Sequence, residues 1–474
     1  MKNTSLVLLA ISLTAPFSHA DIKNFLFARK QAAQARTFTL DIVDSSKAKE
    51  GTFTQKTDHF NKDARTFKQR YFVDSTDARG ENAPVIYYLC GEGTCEGASD
   101  STLVNKIADK YGAHKVALEH RYYGYSQPFA TLETENLKYL SMDQAIEDLA
   151  EFQKFAQATM GLNGKWISVG GSYAGELSAF YRLKHPELVV GALASSAPVL
   201  AKAAFWEYDT YVAKVAGPKC LAAIQSVVAD VEGKLKNRTS AEKVKALFDS
   251  SEVKNHVDFL YILADMAAIA IQYGYQTKFC NAITQGLANG NATEAYAEVG
   301  LKLFSDFGMT PLQDSFQGAE STNPEDYVGW VGARAWFYQS CTEFGYYQIA
   351  AADATNASRS QQLTLDYHNS VCKRLFNIDT QVDTERTNRV YYKNLFDKTT
   401  TGIFFTNGQN DPWSNLSIIE SNPDSSLNPA LPFFTIPGAA HCDDLGRRVS
   451  DGLTKAREQF TSLVGEWLGS TASN

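Results

Sequence analysis

The stretch Lys165–Val169 (KWISV), followed by Gly170-Gly171-Ser172-Tyr173-Ala174-Gly175, decides the fold. A short strand-like run leads into a glycine-rich turn, and a helical pattern follows that turn. A serine on a sharp strand-to-helix turn, flanked by small residues, has its hydroxyl lifted out of the sheet. The usual motif is Gly-x-Ser-x-Gly, and here Ala174 takes the last place with Gly175 behind it. The turn predicts that Ser172 is a nucleophile.

Strand and helix patterns alternate on both sides of this turn. The other strand-like runs are Pro84–Leu89, Lys115–Leu118, Val189–Ala194, Gly402–Thr406 and Pro432–Ile436, and helical patterns cover Ser141–Thr159 and Leu445–Leu468. This alternation predicts a mostly parallel sheet covered on both faces. From about Lys202 to Val382 helical patterns dominate instead. We therefore predict an α/β-hydrolase core at residues 21–201 and 386–474, interrupted by a largely helical cap domain at 202–385.

A serine hydroxyl needs a base to become an effective nucleophile. In α/β hydrolases an acid and then a histidine follow the serine along the chain. Among the histidines beyond the helix that follows Ser172, only His441 comes just after a predicted strand in the C-terminal part, where catalytic side chains gather. Asp411 follows the preceding strand and is the predicted orienting acid. The alternative for Asp411 is an Asx turn, since Asn-Asp-Pro is common turn chemistry.

Acyl transfer also needs two backbone N–H groups to hold the developing oxyanion. One is expected from Tyr173, the residue after the nucleophile. The other is expected from the turn Gly91–Gly93 after an early strand, and Glu92 is the amide that we select. The sequence contains no clustered ligand motif, so we expect neither a metal nor another cofactor.

The composition and the N-terminal sequence limit the possible partners and the location of the protein. The 474 residues carry a formal net charge of −8, which disfavours nucleic acid as a partner. Lys2, the apolar run Leu6–Leu13 and Ser18-His19-Ala20 form a signal-peptide pattern covering residues 1–20. No later stretch reaches about 18 consecutive apolar residues, so we predict no membrane span. We expect a protein that is secreted, or that lies in the lysosomal or periplasmic lumen. Disulfides, and glycans at the four sequons beyond residue 20, are compatible with such a location.

Several motifs together resemble the prolylcarboxypeptidase family, which includes dipeptidyl peptidase II and the thymus-specific serine protease. They are the serine turn with Gly191-Ala192-Leu193-Ala194-Ser195-Ser196-Ala197-Pro198-Val199, Glu119-His120-Arg121-Tyr122-Tyr123-Gly124, Gln339-Ser340-Cys341-Thr342-Glu343-Phe344-Gly345, Asn407-Gly408 with Asp411-Pro412-Trp413-Ser414, and Gly438-Ala439-Ala440-His441. The resemblance extends over roughly residues 50 to 470. It implies a helical cap, peptide substrates, and exopeptidase activity with proline next to the scissile bond.

The resemblance also implies a disulfide pattern for the seven cysteines. Cys341 would pair with Cys372 and Cys220 with Cys280, while Cys90 and Cys95 would close a small loop beside the oxyanion turn. Cys442 would remain free, next to the predicted base.

One residue departs from the prolylcarboxypeptidase pattern. Glu176 lies four residues after Ser172, where prolylcarboxypeptidase has an apolar residue that lines its proline pocket. Residues i and i+4 share a helix face, so Glu176 is a candidate substrate-binding residue that suits a basic side chain better than proline; capping of local amides is the alternative. Trp413 is a candidate pocket wall. Glu343 is a candidate anchor for a substrate terminus, or forms a buried pair with Arg334.

Other functions stay open at this stage. A serine carboxypeptidase of the other lineage would carry Gly-Glu-Ser-Tyr-Ala-Gly, and Gly171 stands in place of that glutamate. A lipase or esterase would hydrolyse esters but not peptides. A non-enzymatic binding protein would be inert toward serine-directed probes. For the assembly state, a homodimer is one open alternative.

Overall fold

A computed structural model describes residues 48–98, 101–329 and 331–469, so the predicted signal peptide lies outside the described residues. The strands are β1 (Lys49–Lys56), β2 (Thr66–Asp74), β3 (Val85–Leu89), β4 (His114–Leu118), β5 (Trp166–Gly171), β6 (Val189–Ser195), β7 (Lys202–Ala204), β8 (Gly345–Tyr347), β9 (Ile403–Gly408) and β10 (Phe433–Ile436). Eight of them form one sheet in the order β1-β2-β4-β3-β5-β6-β9-β10, and β7 pairs with β8.

The central sheet is parallel from β4 to β10, and only β1 and β2 run antiparallel to their neighbours. Its middle strands are almost continuously apolar, and β3 is buried along most of its length. Strands of this kind require helices on both faces of the sheet. The prediction of a doubly covered, mostly parallel α/β-hydrolase sheet is confirmed.

The α-helices of the described residues are α1 (Thr102–Tyr111), α2 (Thr134–Leu137), α3 (Met142–Met160), α4 (Tyr173–Lys184), α5 (Trp206–Leu235), α6 (Arg238–Leu247), α7 (His256–Gln272), α8 (Gln276–Asn289), α9 (Ala292–Asp306), α10 (Pro311–Asp314), α11 (Ala333–Gln339), α12 (Leu365–Phe376), α13 (Thr384–Val390), α14 (Tyr392–Leu395) and α15 (Asp451–Leu468). Helix α3 begins where the Ser141 hydroxyl accepts the Gln144 N–H at 3.3 Å and ends at Gly161 in the left-handed conformation. The last helix was predicted from Leu445 but begins at Asp451, with Ser450 as its cap.

Helices α5 to α14 all lie between β6 and β9, and we refer to this part of the chain as the helical insertion. Helices α5 and α7 to α9 pack around an apolar cluster of their own, which includes Phe259, Met266 and Leu303. The disulfides Cys220–Cys280 and Cys341–Cys372 lie within the insertion. A separate apolar centre of this kind is typical of a cap, while the division at residues 202 and 385 stays a prediction.

Helix α5 has the length and composition of a membrane span, which the sequence analysis had not expected. Core helices of soluble proteins often have the same length and apolar composition. A break at Gly217, where φ is 77°, and Pro218 directly behind it divide the helix. The disulfide at Cys220 ties its second half to α8, and Ile224 and Val227 are buried in the apolar cluster of the insertion. These contacts place the apolar side of α5 inside the protein.

Arg121 joins the antiparallel edge of the sheet to α3. Its fully buried guanidinium donates twice to the Asp148 carboxylate at 2.6 Å and also donates to the carbonyls of Thr57 and Tyr139 at 2.9 Å. A buried charge is tolerated only when it is paired and hydrogen-bonded in this way. These contacts give Arg121 a structural role.

Candidate active site

The predicted nucleophile lies between β5, which ends at Gly171, and α4, which begins at Tyr173. Ser172 adopts φ 58° and ψ −131°, a strained conformation for a residue with a side chain. Its N–H donates to the Ser195 carbonyl of β6 at 2.9 Å, which holds the turn against the sheet. A Cβ at Gly170 would lie 1.9 Å from the Ala174 carbonyl oxygen, so glycine is required there. The sharp turn expected from the sequence is present.

The loop that carries His441 packs directly against this turn. A Cβ at Gly171 would lie 2.8 Å from Leu445 Cδ1 and 2.9 Å from Cys442 Sγ, so the glycine lets the two segments approach. The Cys442 N–H donates to the Ser196 hydroxyl at 2.9 Å. No hydrogen bond joins Ser172 to His441 in the described residues. Such contacts are often long without substrate and tighten when it binds.

His441 and Asp411 form a buried pair at the same edge of the sheet. The His441 Nδ1 atom lies 2.8 Å from Asp411 Oδ2, and both side chains are almost fully buried. A carboxylate only accepts, so Nδ1 carries the proton and Nε2 is left as an acceptor. Burial by itself lowers the pKa of His441, but the charge of Asp411, together with the Cys442 sulfur and the hydrogen bonds to both residues, raises it well above its usual range.

The second oxygen of Asp411 accepts the Trp413 N–H at 3.0 Å. Asp411 therefore forms the turn that was the alternative interpretation and contacts His441 at the same time. The helical insertion also holds this region, because the His441 N–H donates to the Gln272 carbonyl at 2.9 Å and the Tyr273 ring packs edge-on against the imidazole. The base loop is thus supported by both parts of the chain.

The turn Gly91–Gly93, from which the second oxyanion donor is predicted, lies next to the residue predicted to supply the first. A Cβ at Gly91 would be 3.5 Å from the Ala174 nitrogen and 3.8 Å from Tyr173 Cδ1, so the turn after β3 lies against the start of α4. The Cys90–Cys95 disulfide closes that turn, and the Glu92 carbonyl accepts the Gly332 N–H at 2.9 Å. Burial raises the pKa of the Glu92 carboxyl group. The turn and the first residue of α4 can therefore serve one reacting oxygen, whichever amide of the turn is used.

Glu176 points into the protein rather than to solvent. It is fully buried on α4, and neither carboxyl oxygen has a hydrogen-bond partner. Burial raises its pKa well above the usual range, repulsion from Glu343 adds to the shift, and the nearby Tyr346 hydroxyl opposes it. That hydroxyl donates to the Pro198 carbonyl instead. Capping of local amides, the alternative for Glu176, is not observed.

Glu343 and Arg334 do not pair with each other. Both oxygens of Glu343 accept the Met142 N–H, at 3.1 and 3.0 Å, so the carboxyl group caps α3. Arg334 donates to three backbone carbonyls, including that of Leu132 at 2.7 Å. Burial raises the pKa of Glu343 to about 8. These contacts favour a structural role for Glu343, and substrate anchoring by this residue stays a prediction.

Trp413 belongs to an aromatic wall contributed mainly by the insertion. Its ring contacts Phe205, Tyr208 and Tyr346 at centroid distances of 5.5 Å. Together with Trp336 and Tyr346, it also lines a narrow cavity whose walls contain no lysine, arginine, aspartate or glutamate. The wall therefore supplies ring faces but no charge of its own to that cavity.

Gln272 is a contact of this site that sequence reasoning missed. Its Oε1 atom accepts both the Trp413 indole N–H at 2.9 Å and the Tyr208 hydroxyl at 2.7 Å. The signal was present, since Gln272 is a polar residue at the end of the otherwise apolar run of α7. Buried polar residues are normally hydrogen-bonded, but the sequence does not reveal to what.

Known proteins are similar along most of the chain. The protein from Arabidopsis thaliana described as probable serine protease EDA2 is 37% identical, with 77% of this chain and 75% of that protein covered. The mouse thymus-specific serine protease is 31% identical over 89% of this chain and 87% of its own length. The bovine lysosomal Pro-X carboxypeptidase is 26% identical, with coverages of 86% and 84%.

The sequence profile of the family described as serine carboxypeptidase S28 matches residues 55–459. This range includes the strained turn at Ser172, the buried His441–Asp411 pair and the whole helical insertion. The resemblance noted from the motifs is confirmed, and the three disulfides that it implied are present, with Cys442 free. The chain belongs to the serine carboxypeptidase S28 family and is a serine-type peptidase.

Proposed function

We propose that this protein is an exported serine exopeptidase in which Ser172 is the nucleophile, His441 the general base and Asp411 the residue that orients the base. The observation that carries the proposal is the buried His441–Asp411 contact of 2.8 Å on a loop that packs against the Ser172 turn. A serine, a histidine and an acid in this relation are the parts that acyl transfer through a covalent intermediate requires.

In the proposed reaction, His441 Nε2 takes the Ser172 proton while the serine oxygen forms a bond to the substrate carbonyl carbon. The amides of Tyr173 and Glu92 hold the resulting oxyanion. The C–N bond then breaks, and the amine leaves with the proton from His441. Water, deprotonated by the same histidine, attacks the acyl-enzyme, and the Ser172 oxygen departs with that proton. Asp411 keeps His441 in one tautomer through both halves.

Labelling with a fluorophosphonate probe tests the nucleophile. The Ser172→Ala variant should lose all labelling and all peptide hydrolysis. Ser178→Ala is the matched control, because Ser178 lies on the same helix and its hydroxyl only contacts that of Ser168, at 2.8 Å. The control should be labelled like the wild-type protein. Labelling that persists in Ser172→Ala would reject the assignment.

Exopeptidase action is supported by the motif resemblance and by the name of the bovine relative, a Pro-X carboxypeptidase. We propose that the insertion restricts the cleft so that a chain end must enter. Peptides of one sequence, with the amino end, the carboxyl end or both ends blocked, test this. One block should stop cleavage, whereas cleavage of the doubly blocked peptide would show an endopeptidase.

For the substrate side chain, we propose a pocket with Glu176 at its base and Trp413 in its wall. Glu176 is unpartnered, one helical turn from Ser172, and close to the aromatic wall. A cation would gain both the carboxylate and the ring faces. We therefore propose a preference for a basic side chain over proline.

Export is supported by the three disulfides, which are compatible with an oxidising compartment such as the lysosomal or extracellular space. The proposed route is the signal peptide at residues 1–20. Amino-terminal sequencing of the protein from its native host should begin near Asp21. A chain that starts at Met1 would contradict this part of the proposal.

A further inference from the structure

The phenol of Tyr173 is the meeting point of two segments that are far apart in the sequence. Its oxygen accepts the Gln339 side-chain amide at 2.9 Å and lies 3.0 Å from His120 Nε2. Gln339 ends α11 in the helical insertion, and His120 follows β4 in the core. All three side chains are buried. Hydrogen bonds in such a place fix the position of the ring.

The direction of the bond between Tyr173 and His120 follows from the other side of the imidazole. His120 Nδ1 lies 2.7 Å from the Arg121 carbonyl, which only accepts, so Nδ1 carries a proton. Burial lowers the pKa of His120 to about 4, which keeps the ring neutral above that pH. Nε2 is then an acceptor, and the Tyr173 hydroxyl donates to it.

The orientation of Gln339 is fixed in the same way. Its Oε1 atom accepts the Tyr123 hydroxyl at 2.6 Å, which leaves its NH₂ group to donate to Tyr173. Four hydrogen bonds therefore run in one direction, from Tyr123 through Gln339, Tyr173 and His120 to the Arg121 carbonyl. We call these four side chains the tyrosine relay. Each of the four bonds has a defined donor and acceptor, which is the condition for a rigid buried network.

The relay contacts both halves of the proposed oxyanion site. The Tyr173 ring lies against Gly91, at the start of the turn that carries Glu92, and Tyr173 itself provides the first proposed amide. At the other end of the relay, the Tyr123 ring fills the space where a Cβ of Gly332 would be, at 2.6 Å. The Gly332 N–H donates to the Glu92 carbonyl. The two proposed donors thus rest on one hydrogen-bonded unit.

We infer that the tyrosine relay positions the two oxyanion amides, so that Tyr123, Gln339, Tyr173 and His120 act on catalysis through the backbone rather than by contact with the substrate. This inference rests on the proposed function, because it needs Ser172 as the nucleophile. Oxyanion donors act only when they are preorganised, and small displacements of positioned groups cost large factors in rate. Removal of the Tyr173 hydroxyl should therefore lower kcat with little change in KM.

The matched test compares Tyr173→Phe with Tyr181→Phe. Tyr181 is also buried on α4, and its hydroxyl donates to Gln153 at 2.7 Å, far from the proposed oxyanion site. Tyr173→Phe loses the two hydrogen bonds of its hydroxyl and Tyr181→Phe loses one, so both variants should melt at reduced temperatures. We expect kcat to fall by about 10- to 100-fold in Tyr173→Phe, with KM within about twofold of the wild-type value, and to stay within about twofold in Tyr181→Phe. Equal kcat values in the two variants would overturn the inference.

A second pair separates positioning from packing. His120→Gln places a carbonyl acceptor near the position of Nε2, whereas His120→Leu removes the acceptor. His120→Leu should lose kcat as Tyr173→Phe does, and His120→Gln should recover at least half of that loss on a logarithmic scale. Identical rates for the two would overturn the inference.

The fluorophosphonate probe keeps this result distinct from the assignment of Ser172. In Tyr173→Phe the probe should label more slowly but to the same end point, at Ser172. If Ser172→Ala is still labelled, the proposed function fails. If Ser172→Ala is unlabelled and Tyr173→Phe reacts as fast as Tyr181→Phe, only the relay fails.

Discussion

The sheet edge and the helical insertion contribute to the candidate site in different ways. Ser172, Asp411 and His441 each follow a strand of one parallel sheet, and β5, β6, β9 and β10 are consecutive neighbours. Their loops emerge at the same edge because parallel strands end together. The insertion provides Tyr346, Gln339 and Gln272 from separate elements that share no strand register.

The difference indicates a division of labour between the two parts. The groups at the sheet edge are proposed to move protons and form bonds, so their loss should affect all substrates alike. The insertion provides most of the ring faces near Glu176 and one of the four side chains of the tyrosine relay, Gln339. Substitutions in the insertion should alter the substrate preference, the positioning of the catalytic groups or the response to pH.

Asp411→Asn should give the largest effect, a fall in kcat of about 10⁴-fold on every peptide tested. The NH₂ group of the new asparagine only donates, so it cannot accept the proton of His441 Nδ1. It therefore favours the tautomer with the proton on Nε2, which cannot act as the base. The Trp413 turn can remain, since one side-chain oxygen is preserved. Steady-state kinetics on two peptides with different side chains measures the effect.

Asp411→Asn should also shift the pH dependence of kcat/KM in a defined direction. His441 must be neutral to act as a base, and Asp411 raises its pKa. Loss of that charge should move the acidic limb of kcat/KM to lower pH. Asp443→Asn is the control, because Asp443 accepts the Ala440 N–H at 2.7 Å near His441 but does not contact the ring. Equal losses in the two variants would contradict the proposed role of Asp411.

Glu176→Gln should have a smaller and substrate-dependent effect. The wild-type enzyme should prefer arginine to its uncharged analogue citrulline in the residue whose side chain enters the pocket. In the variant, the ratio of kcat/KM for the arginine peptide to kcat/KM for the citrulline peptide should fall by about 10- to 100-fold. A fall of this size corresponds to the loss of one buried charge-assisted hydrogen bond.

Glu92→Gln provides the matched change of another acidic residue near the site. It should leave the arginine-to-citrulline ratio within about threefold of the wild-type value. A wild-type enzyme that does not distinguish arginine from citrulline, or that prefers proline to both, would show that Glu176 does not select a cation.

Glu343→Gln should have the smallest effect, on stability alone. The folded protein holds the proton of Glu343 up to about pH 8, whereas the unfolded chain releases it near the ordinary value of 4.5. The folded state therefore binds more protons between these values, and the free energy of unfolding falls as pH rises. The melting temperature of the wild-type protein should decline across that window, and the variant should decline less.

Exposed Glu325 offers a control for this measurement. Glu325→Gln should leave the slope of melting temperature against pH unchanged. A wild-type slope that Glu343→Gln does not reduce would contradict the prediction.

The sheet edge could be predicted because each part of its pattern is local. KWISV is mostly apolar and stops at the glycines, so both the strand and the turn are encoded within about ten residues. The acid and the base follow from chain order and from the strand before each of them. Strands β1 and β2 were not predicted, since polar residues such as Thr52 and Lys68 alternate with apolar ones and resemble an irregular segment.

The contacts of the insertion could not be predicted, because they depend on tertiary packing. His120 and Gln339 were both part of recognised motifs, yet nothing in either motif indicates that they meet at the Tyr173 hydroxyl. The buried hydrogen-bond donor to Glu343 is likewise a backbone N–H, 201 residues away in the sequence. A buried polar residue predicts that a partner exists, but the identity of the partner follows only from the fold.

The adjacency of β6 and β9 has a consequence for how such proteins diversify. The chain leaves the sheet after β6 and returns to it in β9. The two strands are neighbours, and Ala192 of β6 is paired with Ile403 of β9. The two ends of the intervening segment are therefore held in a fixed register, at opposite ends of two neighbouring parallel strands. A recombinant chimaera could exchange the entire segment for one of another length while both splice points stay in register. Evolution can use the same junction, so that new substrate ranges arise by grafting on an unchanged catalytic frame.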